Sequence, residues 1–244
     1  MYKALIQNEF IKLKSTLALW MMLLMPMAIV LLTSLLMLNK PSTTMVSGQH
    51  FASQSLAFWL LLIQPMYLAI VGVLLLQIEH ESHGWQRLYV LPASRFAFYF
   101  SKALVMLVLQ IGAVICLAIL TGLSLFVLSW SGHLTLSDFL LTHYISAMMK
   151  GVVAGLVLLS LQHWLSTRWP SIVVPLIVAV AGSLTIPSVT QSEKYWLYDP
   201  WTYGMIASMA SDKSAQWLAL SLSVALALLI FALGSWDIAK RELR

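Results

Sequence analysis

Charge is scarce in this chain. Only 9% of its 244 residues are Asp, Glu, Lys or Arg, against 60% that are apolar, whereas soluble domains carry about 25% charged residues. No polar stretch reaches the roughly 50 residues of a small soluble domain, and mean hydropathy is +0.87. Residues 1–244 therefore read as one membrane domain. Cysteine is almost missing. Cys116 stands alone inside an apolar run, which excludes an intrachain disulfide and argues against a thiolate metal site. No G-x-x-x-x-G-K-[ST] occurs, so the chain lacks the loop with which P-loop proteins hold ATP. A G-x-S-x-G elbow is missing too, and His80-Glu81-Ser82-His83 falls one position short of H-E-x-x-H. The net charge of +5 lies in short clusters between apolar runs, without the basic stripe interleaved with aromatics that would hold a nucleic acid.

Long apolar runs are abundant. Six can hold helices that cross a hydrocarbon core of about 30 Å: near Leu17–Leu38, Ser55–Ile78, Phe96–Leu128, Leu140–Leu165, Ser171–Ile186 and Ala215–Ser235. The first exceeds a signal-peptide core and no A-x-A-like site follows it, so it reads as a retained span. The fifth is the shortest, with Pro175 early and Pro187 at its end, which predicts a bent or partly spanning helix. Placing both termini on one side puts ten of the fourteen Lys and Arg there, with Lys40, Lys194 and Lys213 opposite and Lys150 inside a span. The positive-inside rule then assigns both ends to the cytoplasm. Before the first span, Ile6, Phe10, Leu13 and Leu17 line one side of a helix over residues 1–16 while Lys3, Gln7 and Lys14 lie largely opposite. This segment reads as an interfacial helix, either a plain anchor or a receiver for a cytoplasmic partner.

The stretch joining spans two and three, residues 79–95, is the most informative. Trp85, Leu88 and Tyr89 fall on one face of a short helix, Pro92 stops its regular continuation, and Arg87 and Arg95 place charge at the membrane boundary. Glu79 or Glu81, Trp85 to Leu88, Leu91-Pro92-Ala93-Ser94-Arg95 and then Lys102 follow one another in the order that resembles the ABC-2 type permeases. The interfacial helix, the six spans and a longer outer segment over 188–214 extend the resemblance along nearly the full length. Gly84-Trp85-Gln86-Arg87-Leu88 and Tyr198-Asp199-Pro200-Trp201-Thr202-Tyr203 look most like the lantibiotic-immunity and bacteriocin-export permeases.

The resemblance implies an all-α protein of the bacterial cytoplasmic membrane that binds no cofactor itself. It implies two copies of an ABC ATPase carrying ATP and Mg²⁺, which grip residues 79–95 as a coupling helix. It also implies a second permease, identical or related, an amphipathic cargo moved outward, and an outer segment that folds back and helps close the exit. Glu79, Glu81, Trp85, Arg87, Leu88, Tyr89, Pro92 and Arg95 are then the coupling residues. Lys150, Gln64, Gln110 and Trp201 are candidates for the cargo path or gate. Each has a structural alternative: Lys150 snorkels to an interface, the glutamines join helices, and Trp201 belongs to an aromatic belt. A secondary transporter or channel is the competing function, although no inverted repeat is visible.

Overall fold

The structure, a computed structural model, describes residues 2–13, 16–39, 46–81, 94–192 and 194–240. Helix α1 (Tyr2–Leu13) leads to α2 (Ala18–Leu38). After a two-residue strand β1 (Val46–Ser47), α3 (Gly48–Phe58), a π-helical turn (Trp59–Ile63) and α4 (Gln64–Glu81) run on as one rod. Next come α5 (Arg95–Trp130), strand β2 (Leu134–Thr135), and α6 (Leu141–Ala154) continued by α7 (Leu156–Arg168). Helix α8 (Val173–Val189), a 3₁₀ turn (Tyr195–Tyr198), α9 (Tyr203–Met209) and α10 (Lys213–Lys240) complete the order. The two strands pair in parallel, Val46 with Leu134, and tie two loops together at one end of the bundle.

Among the described residues five helical rods are long and apolar enough to cross a membrane: 18–38, 48–77, 95–130, 141–168 and 213–240. The fifth apolar run of the sequence forms the 17-residue α8, shorter than these, with Pro175 near its start and Pro187 in its last turn. The second rod begins at Gly48, seven residues before its apolar run, because Ser47 caps it by accepting from the Gln49 N–H at 3.2 Å.

The π turn has a local cause. Pro65 has no N–H to return to the carbonyl of Leu61, and the Gln64 N–H reaches back five residues to Trp59 O. The widened turn places Gln64 where the fourth rod breaks. Gly155 separates α6 from α7, and a β-carbon there would overlap the side-chain amides of Gln64 and Gln110. Both glutamines are buried and donate to carbonyls of the turn before Gly155, Gln64 to Gly151 O and Gln110 to Val152 O, each at 3.4 Å. These two path candidates therefore lie inside the protomer, joining the second, third and fourth rods.

Burial sorts the rods into inner and outer ones. The second is 67% buried and the last 17%. Large apolar side chains point outward along α2, α5 and α10, among them Leu35, Ile119, Leu123 and Leu228. Lipid solvates such a surface and water does not. On α10, Trp217 and Trp236 are both exposed, at 70% and 59%. Nineteen residues at 1.5 Å each separate them by about 28 Å, close to the hydrocarbon thickness. Trp20, Trp130, Tyr195 and Tyr198 are exposed as well and add aromatic side chains to the outer surface. We call the Trp236 end basal and the Trp217 end distal.

Candidate functional site

Of the coupling residues, Trp85, Arg87, Leu88, Tyr89 and Pro92 lie outside the described residues. Glu79 and Glu81 fall in the last turn of α4, with side chains that also lie outside them. The base from which this segment springs is well defined. On its far side, Ser94 caps α5 by accepting from the Ala97 N–H at 3.2 Å. The neighbouring Arg95 donates to the carbonyls of Ile238 and Ala239 at 3.4 and 3.0 Å, satisfying the C-terminal end of α10.

Two turns further along α5, Lys102 is 2% exposed and its ammonium lies 2.9 Å from Oε2 of Glu9, itself 6% exposed. Lys12 holds the other carboxylate oxygen at 3.1 Å, and Lys102 also donates to Leu75 O in α4 at 3.5 Å. One buried cluster thus fastens α1 to both helices that flank residues 82–93. Lys102 is part of the motif visible in the sequence, and Glu9 is not. A signal was available: Glu9 falls on the same helical face as Ile6 and Leu13, and an acid in an apolar stripe requires a buried partner.

The face itself needs correction. Leu13 and Glu9 are buried against the bundle, whereas Phe10 and Ile11 are exposed, at 36% and 66%. The helix therefore turns its charged seam toward α5 and two apolar side chains outward, because an ion pair gains more from a protein partner than from lipid.

Two further links lie at the basal end. Arg168 meets Asp237 at 2.7 Å, and the Trp164 indole N–H donates to the same carboxylate at 3.2 Å. Tyr99 and the buried His163 contact ring to ring at 4.3 Å, with His163 Nε2 3.1 Å from Tyr99 O. The third, fourth and last rods are thereby clamped together, and Lys12, Arg95, Lys102, Arg168 and Lys240 share this end.

The distal end holds the remaining candidates. The outer segment forms a compact cap: Thr202 Oγ1 donates to Trp196 O and Asp199 O, Tyr203 OH donates to Leu197 O at 2.7 Å, and Thr185 on α8 donates to the Asp199 carboxylate. Burial, with Asp199 adding to it, pushes the Tyr203 phenol above its ordinary pKa. Helix α9 returns against α6, where Ser208 donates to Ala147 O at 2.9 Å, and Gly204 faces Leu60 of the π turn. The Trp201 ring lies directly on Gly182 of α8, where a β-carbon would overlap it. Lys150 is half-buried and donates to Gln216 Oε1 at 2.7 Å. Gln216 adjoins the exposed Trp217, so Lys150 and that indole share the distal end.

The sequence model of a family described as ABC-2 family transporter protein matches residues 5–186. The chain belongs to this family. The match runs from α1 through most of α8 and so takes in Glu9, Lys102 and the whole of residues 79–95. The ABC-2 chain is a membrane permease, a transmembrane component of a kind that typically works with an ATPase partner. No curated protein matches the permease.

Proposed function

We propose that the permease is the transmembrane subunit of an ATP-driven exporter, assembled with two ATPase copies and a second permease, identical or related. It moves an amphipathic peptide, a lipid or a drug outward across a bacterial cytoplasmic membrane, with both termini and the basal end in the cytoplasm. Gly84 to Leu88 and Tyr198 to Tyr203 favour a peptide of the lantibiotic or bacteriocin kind. The observation that carries this reading is the Glu9–Lys102–Leu75 cluster at the feet of the coupling segment. ATP and Mg²⁺ belong to the ATPase. When the ATPase pair closes, Trp85, Leu88 and Tyr89 receive the displacement, with Arg87 and the Glu79 or Glu81 carboxylate fixing the segment's register against its partner. The ion pair passes the motion into α1, α4 and α5 together. At the far end Trp201, seated on α8, opens or closes the exit.

Truncating Trp85 to Ala should weaken ATPase docking by on the order of 30-fold, the scale of an aromatic hot spot of about 2 kcal/mol. Pull-down of the ATPase and cargo-stimulated ATP hydrolysis in proteoliposomes check this. A Trp85→Ala protein that binds and couples normally overturns the residue-level mechanism, and the lack of any ATPase that copurifies favours a secondary transporter or channel.

Orientation has its own test. In a Cys116→Ser background, single cysteines at the exposed Ser94 and Ser211 mark the two ends. A membrane-impermeant maleimide should label Ser211→Cys in intact cells and Ser94→Cys only after lysis. The reverse pattern turns the permease over.

A further inference from the structure

A cavity of about 530 Å³ opens at the distal end between α3, α6, α9 and the start of α10. The residues that line it include Lys150, Lys213 and His143 together with the polar Gln49, Ser208 and Gln216. Among the described residues lining it, none is acidic. The nearest acid in sequence, Asp212, is engaged elsewhere: it accepts from the Ser214 hydroxyl at 2.6 Å and from the Ser214 and Ala215 N–H groups, capping α10. Those bonds, the hydroxyl's first, hold its carboxyl below the usual carboxylate range.

Lys150 is held in place rather than left to swing. Gln216 donates its amide N–H to Ala210 O at 2.6 Å, which turns its carbonyl oxygen toward Lys150 Nζ at 2.7 Å. An ammonium carries three N–H donors. Gln216 takes one, and among the described residues no further partner is seen for Lys150 or Lys213. Two lysines in a polar wall with no acidic side chain among its described residues select an anion. The volume lies within the range of small-ligand pockets. The adjoining Trp217 sets the cavity at the level where lipid phosphates lie.

We propose that this cavity is a binding site for a phosphate oxyanion, held between Lys150 and Lys213, and that an anionic phospholipid headgroup occupies it. The site depends on neither an ATPase nor the direction of transport. It is tested on the purified full-length permease in detergent, by native mass spectrometry and thermal stabilisation, with dioleoyl phosphatidylglycerol, dioleoyl phosphatidylcholine and inorganic phosphate as probes. Wild-type protein should prefer phosphatidylglycerol to phosphatidylcholine by about tenfold, the scale of one charge-assisted hydrogen bond.

Lys150→Gln and Lys213→Gln should each remove most of that preference, and Lys150→Arg should keep it. Lys194→Gln, an outer-segment lysine that does not line the cavity, should leave it unchanged. If Lys150→Gln does not fold, Lys213→Gln carries the test, because Lys213 is exposed at the first position of α10. Displacement of phosphatidylglycerol by millimolar phosphate would mean that the site reads the oxyanion itself. Retention against phosphate would mean that the acyl chains contribute. No preference for phosphatidylglycerol, or an undiminished preference in the Lys150→Gln/Lys213→Gln protein, overturns the proposal. Binding of free phosphate without any lipid preference overturns the headgroup as occupant.

Discussion

Glu9→Gln should destabilise the purified permease by about 3–5 kcal/mol, because it leaves the Lys102 ammonium buried without its counter-charge. For a protein of this size that corresponds to a fall in melting temperature on the order of 10 °C. The effect is large because Lys102 is 2% exposed and cannot turn to water. Carbonyl dipoles such as that of Leu75, 3.5 Å away, replace a full negative charge poorly. Removing both charges separates the loss of the pair from the loss of one partner. A Glu9→Gln/Lys102→Met protein should regain most of the stability, since an apolar side chain of similar length suits the site. If the double variant is as unstable as the single one, the cluster contributes through shape rather than charge. If the regained protein folds and binds its ATPase but no longer couples, the pair belongs to the transmission path proposed above.

Gly182→Ala should cost about 1–3 kcal/mol, the usual range for forcing extra volume into a packed contact. The β-carbon would occupy space taken by the Trp201 indole, a rigid ring that can respond only by leaving α8. The outer segment is anchored to α8 by this contact and by the Thr185–Asp199 hydrogen bond, so detachment should also show as faster proteolysis within residues 188–214. Trp201→Ala removes the same contact from the other side. The Gly182→Ala/Trp201→Ala protein should therefore be close in stability to Trp201→Ala alone, as expected for two changes at one contact. Additive losses would show that Trp201 and Gly182 do not depend on each other.

Much of the base was readable in the residues. The motif puts Ser94-Arg95 and Lys102 at the start of the third span, and they lie there, Ser94 capping α5 and Lys102 two turns into it. Glu9 was hidden by its neighbours, since Ile6, Phe10, Leu13 and Leu17 form an apolar stripe that fits a helix lying on lipid. Hydrophobic periodicity locates a face without saying whether lipid or another helix covers it. Lys150 was legible as a charge at the edge of an apolar run, but its partner Gln216, on another helix, was not.

Sequence alone determined that this is a multi-span helical membrane protein and that it resembles the ABC-2 family, because lipid demands long apolar helices and the Leu91-Pro92-Ala93-Ser94-Arg95 motif is contiguous in sequence. Its scarce charges were equally legible as clusters. Tertiary structure decided what those charges do. Glu9 meets Lys102 across 93 positions of sequence, and Lys150 meets Gln216 across 66. Such pairs are specified by helix packing in three dimensions, where the π turn before Pro65 and the break at Gly155 set the facing of whole rods. In a medium without water, each buried polar group must find a partner inside the protein. Which partner it finds is a property of the packed bundle.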